Sequence, residues 1–158
     1  MTPSLIDALR ARSRASSCVP GARELRCAQS EADYTSLVSK ETFEALKAVL
    51  VAQSEGMEVA QDGPRGYSLQ TAGPIELAGR HFPNLFFAAV KEGKNDTALH
   101  FFPIYSHPKR FADLPAALRK KLTGKSCFHF KTADPELLEA VAEMLARGRE
   151  IFADPAKT

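Results

Sequence analysis

Two rhythms of apolar residues alternate along the chain. In "KETFEALKAVLVAQ", Phe43, Leu46, Val49, Leu50 and Gln53 recur at the spacing that gathers side chains on one face of a helix. A helix is predicted there, entered at Ser39 as N-cap and stopped at Gly56. "MEVAQD" and "GYSLQT", separated by "GPR", predict two short strands joined by a tight turn. "AGPIELAGRHFP" is cut by Gly73, Pro74, Gly79 and Pro83, and predicts a loop with one edge strand at most.

"NLFFAAVKEGKNDTALHFFPIY" predicts a hairpin, two apolar runs around a Gly-Lys-Asn-Asp turn. If Glu92 pairs with Thr97, Ala89 faces His100 and Phe87 faces Phe102 on one side, while Val90 faces Leu99 and Ala88 faces Phe101 on the other. Both sides would then be apolar. A sheet with helices on one face should alternate apolar and polar residues, so the second face is expected to need a cover: a loop, a ligand or another subunit. Pro103 should end the strand or mark an edge. Asp113 is expected to cap a helix over "LPAALRKKL", with Leu114, Leu118 and Leu122 inward and Gly124 as its stop. "SCFHFK" reads as a strand, and Asp134 with Pro135 opens a last helix that turns Leu137, Leu138, Val141, Leu145 and Phe152 inward. This order predicts an α+β fold: a two-layer sandwich, with a mostly antiparallel sheet of about five strands and helices mainly on one face.

Composition adds boundaries. With 158 residues, 44% apolar and 25% charged, the chain is long and apolar enough for one core without staples. No apolar run approaches the length of a membrane span, so a soluble protein with no membrane partner is expected. Residues 1–35 are expected to form an N-terminal extension, mobile or loosely docked, ahead of one domain over 36–153. An Arg-rich transit sequence is the alternative for that extension, and Asp7 counts against it. The net charge of +2 is concentrated there, since Met1–Ser30 holds five Arg against Asp7 and Glu24. A body without excess basicity argues against a nucleic-acid partner. Cys18, Cys27 and Cys127, odd in number with no signal peptide ahead of them, are expected to be free thiols in the cytoplasm.

The chemistry-bearing stretch is "TGKSCFHFK", Thr123–Lys131. It is no phosphate loop, because the first glycine of that motif is replaced by Arg119 and its Ser opens a strand. On a strand, Cys127, His129 and Lys131 share one side and Phe128 and Phe130 the other. The phenylalanines should lie under the helices, leaving thiol and imidazole on the opposite face. His100 joins Cys127 and His129 if their strands are neighbours, and the three are then the candidate ligands for iron or zinc. His81 and His107 read as loop and turn residues. Arg119, Lys120, Lys121 and Lys125, with Lys109 and Arg110 upstream, read as a solvated face, since no aromatic platform is interleaved with them.

The expected site is therefore a ligand surface made of Phe87, His100, Phe102, Cys127 and His129, meeting a small apolar ligand or a second copy of the chain. No catalytic residue and no cofactor are assigned, and a non-enzymatic binding module is the leading expectation. Metal handling through His100, Cys127 and His129 is the alternative. A thiol enzyme using Cys127 is a further one.

From "LFFAAVKEGKNDTALHFFPIYSHP" through "LPAALRKKLTGKSCFHFK" to the last helix, about Ser39 to Phe152, the chain resembles the YdhG-like domain-of-unknown-function family of the YdhG/YjbR/CyaY-like superfamily. The resemblance implies the α+β fold and carries over no catalytic residues. Some relatives in that superfamily are described as iron chaperones similar to frataxin, which implies iron as cargo. Frataxin-type binding resembles an acidic ridge along the first helix and strand. The corresponding stretch holds Glu41, Glu44 and Glu55 interspersed with Lys40 and Lys47, then Glu58 and Asp62.

Overall fold

The structure, a computed structural model, describes residues 27–153. Of the predicted extension, residues 1–26 lie outside them, and residues 27–35 belong to the first helix. The chain divides into two units, Met1–Glu31 and Ala32–Thr158, and the fold below is that of the second.

Helix α1 (Cys27–Ala52) leads into β1 (Met57–Gly63), β2 (Gly66–Thr71), β3 (Ile75–Leu77), β4 (Arg80–Phe82), β5 (Phe86–Glu92) and β6 (Thr97–Phe101). Next come α2 (Phe102–Ser106), a 3-10 turn (Pro108–Phe111), α3 (Ala116–Arg119), β7 (Leu122–Thr123), β8 (Cys127–Phe130) and α4 (Pro135–Ala153). Six strands form one antiparallel sheet in the order β1-β2-β5-β6-β8-β7, and β3 with β4 makes a separate two-stranded sheet. This is the predicted two-layer α+β fold, with one more strand in the main sheet. Among the described residues no helix is long and apolar enough to cross a membrane.

The core lies between the sheet and its helices. Phe43, Leu46 and Leu50 of α1 and Leu137, Val141, Met144, Leu145 and Ile151 of α4 pack into one cluster with Leu69, Val90, Leu99, Phe101, Phe128 and Phe130 of the strands. Phe128 and Phe130 are essentially inaccessible, and burial of each ring contributes about 1.5–3 kcal/mol. The alternation in β8 thus works as predicted: its phenylalanines go under the helices, and Cys127 and His129 remain half-buried on the other side.

Several local expectations are corrected. Ser39 is not an N-cap but lies in the interior of α1, buried, with its hydroxyl shared between the carbonyl oxygens of Gly93 and Asp96 at 3.3 Å each. Thr97, also buried, donates to the Ser39 carbonyl oxygen at 3.1 Å. The polar character of Ser39 therefore fastens the β5–β6 turn to the helix. The predicted helix after Asp113 shrinks to the single turn α3: Asp113 pairs with Arg147 at 2.6 Å, and Leu122 already belongs to β7. Gly124, at φ +76°, makes the left-handed turn between β7 and β8 and stops no helix. "AGPIELAGRHFP" holds two strands, because Ala78 and Gly79 both take positive φ and close a two-residue hairpin between Leu77 and Arg80. Alanine is a rare choice there, which hides the turn.

A further correction concerns Phe87. Leu69 pairs with Ala88 but Gln70 pairs with Phe86, so Phe87 is an extra residue in β5. Such a bulge turns two successive side chains toward one face. Phe87 joins Ala88 in the core, fully buried, edge-on to Phe101 at 5.7 Å and to Phe152 at 6.0 Å. The predicted pairs Ala88–Phe101, Ala89–His100, Val90–Leu99 and Glu92–Thr97 are present, while Phe102 has left the sheet for α2. On the second face Phe86 stands in place of Phe87, among polar as well as apolar neighbours. β6 and β8 alternate buried with half-buried positions as strands with one open face should.

Two substitutions test this packing. Phe87→Ala should cost about 3–5 kcal/mol in urea denaturation, and its neighbour Phe86→Ala under about 1. Similar losses at both positions would contradict the bulge. A Cβ at Gly148 of α4 would lie 2.5 Å from Cζ and 2.9 Å from Cε2 of buried Phe101. Gly148→Ala gains about 1 kcal/mol in helix propensity but overpacks at about 1–3. The ring is pinned edge-on by Phe87 and Phe111, so a net loss is expected, and a higher melting temperature would count against that account.

Candidate functional site

Cross-strand pairing lays a row of side chains over the open face, one from each strand: Gln61, Ser68, Ala89, His100, Cys127 and Thr123. The next row carries Lys91, Ala98 and His129. Small residues in the middle of the first row leave a groove of about 510 Å³, lined by Gln61, Ser68, Phe86, Ala89, Lys91, His100, Phe102 and Ser126. Ser68 is only 9% exposed, and its hydroxyl makes no side-chain hydrogen bond among the described residues. Phe86, 40% exposed, is displaced onto this face by the same bulge that buries Phe87.

Two polar pairs continue the rows. Cys127 Sγ lies 3.0 Å from His100 Nδ1, directly across the β6–β8 ladder. Asp96 Oδ2 lies 2.8 Å from His129 Nδ1. Asp96 sits in the β5–β6 turn, closed by the Gly93 N–H donating to its carbonyl oxygen at 2.8 Å and clasped by Ser39. The clasp on α1 thereby aims a carboxylate at an imidazole of β8. Burial, then the positive charges of Lys91 and His129, hold the His100 pKa below the ordinary 6.5. Its neutral ring can accept the Cys127 thiol proton at Nδ1.

Of the predicted site, His100, Cys127 and His129 share the open face and Phe102 borders the groove. Phe87 does not belong to it. Asp96, Lys91, Phe86, Ser68 and Gln61 escaped sequence reasoning, which found no carboxylate for His129. The hairpin register puts Asp96 beside Thr97, but its approach to His129 follows only once β6 is paired with β8. As for the metal alternative, no three His, Cys, Asp or Glu side chains among the described residues are grouped to hold an ion, so His100, Cys127 and His129 do not form such a set here. Along the proposed acidic ridge, Glu58 accepts from Gln70 at 2.9 Å and Asn84 at 3.0 Å, Asp62 meets Lys47 at 2.6 Å, and Glu55 lies 3.7 Å from Arg149. These carboxylates are engaged within the fold.

The remaining candidates are dispersed. His81 is exposed on β4, and His107 contacts Ser106 Oγ at 2.9 Å, its pKa lowered by burial and by Arg110. In the basic stretch Arg119 bonds the Ala112 carbonyl oxygen and Lys125 lies over the Tyr105 ring at 5.6 Å. Compared with models of known families, with curated proteins and with solved structures, the chain gives no match.

The His100 shift sets a pH dependence. Its folded pKa lies below the unfolded value, so the unfolded chain binds more protons as the pH falls past about 6.5. Stability is complete above that value and declines toward the folded pKa; His107 acts in the same direction. Between about pH 7 and pH 5 the urea midpoint should fall, and His100→Gln should reduce the fall. An NMR titration of His100 giving a pKa at or above 6.5 would refute this.

Proposed function

We propose that the domain is a non-enzymatic binding module whose open sheet face takes a small molecule with an apolar body and an anionic or hydrogen-bond-accepting edge. The groove over Ser68 and Ala89 is the observation that carries this reading. Phe86 and Phe102 offer ring surface to the apolar part. Lys91, Gln61 and the Ser68 hydroxyl offer a charge and donors to the polar edge. The pairings across the row make the floor rigid, so little ordering is needed on binding. Kinship with the YdhG-like family belongs to the same proposal as a likeness of fold.

The aromatic anion 8-anilinonaphthalene-1-sulfonate is a suitable probe. It should bind saturably, with Lys91→Glu weakening it about ten-fold or more, and Ala89→Leu, which fills the floor without entering the core, should abolish binding. Binding unchanged in both variants would exclude the groove. Light scattering tests the competing occupant: a stable dimer that loses dye binding would assign the face to a second copy of the chain.

A further inference from the structure

We propose that Cys127 is a nucleophilic thiol with His100 as its base, forming a mixed disulfide with a small anionic disulfide that approaches along the groove. The inference rests on the groove reading only for the placing of Lys91. The pair is set by the ladder itself: His100 and Cys127 are directly paired residues on one face, with Sγ and Nδ1 3.0 Å apart. His100 also lines the groove, so the base adjoins both the thiol and the space a reagent would fill. Asp96 engages the Nδ1 of the other imidazole, His129, and is committed there.

A thiolate is the attacking species in disulfide exchange, and a base within hydrogen-bond reach generates it. The thiol proton passes to Nδ1 as Sγ attacks one sulfur of the incoming disulfide. An Sγ–S bond forms and the reagent's S–S bond breaks. Its second sulfur leaves as a thiolate and takes the proton from the imidazolium. The reagent is the two-electron oxidant and no other co-reactant is needed. Lys91, exposed beside His100, favours a reagent bearing carboxylates.

The test uses the full-length protein with glutathione disulfide as anionic probe and cystamine as cationic probe at neutral pH. Peptide mass spectrometry follows each of the three cysteines separately. Cys127 should react with glutathione disulfide about ten-fold faster than free cysteine does, and His100→Gln should remove that advantage while circular dichroism stays native. Lys91→Glu should slow glutathione disulfide and speed cystamine. A Cys127 rate no greater than that of free cysteine, or one untouched in the folded His100→Gln protein, overturns the proposal. Equal preference for the two disulfides overturns the choice of an anionic reagent. Saturable dye binding by the unaltered protein, in which Cys127 nevertheless reacts no faster than free cysteine, separates this failure from that of the groove.

Discussion

The extra residue in β5 decides what each face of the sheet can hold. Without it, strict alternation would place Phe87 over the open face and Phe86 under the helices. Inserting one position sends Phe87 to Phe101 and Phe152, completing an edge-to-face chain of rings that Phe111 extends. It also moves the ring on the opposite face one residue back along β5, from Phe87 to Phe86. Ser68, Ala89 and His100 are then left with space above them, and the concavity follows from that arrangement.

A second constraint ties the helix layer to the site. Ser39 holds the turn that carries Asp96, and Asp96 holds His129. The linkage runs from the buried side of the molecule to the open side through three side chains and one turn. It depends on a serine in mid-helix, where its intrinsic preference is poor, and the cost is offset by the buried carbonyls it satisfies. Thr97 completes the exchange by returning a hydrogen bond to the helix backbone.

Much of this was legible in the sequence, because alternation and helical spacing are local signals. β8 divided its phenylalanines from its thiol and imidazole as its period required, and the β5–β6 register followed from a single turn. What could not be seen depends on pairing partners. The bulge is a mismatch between β2 and β5, and neither strand shows it alone. Asp96 reaches His129 across a strand boundary. Ser39 resembled a cap because a serine ahead of an amphipathic run usually is one; burial against a distant turn overrode the local preference. Leu122 was at helical spacing from Leu114 and Leu118, yet the chain turned into a strand first.

The borders of the main sheet have a consequence of their own. One outer strand, β1, is seven residues long but irregular between Val59 and Gln61, almost wholly exposed, and carries Glu58 and Asp62; the other, β7, has only two residues. Neither presents a flat ladder of free backbone groups on which another strand could extend the sheet. Lateral growth into fibres is thereby discouraged by the border strands themselves.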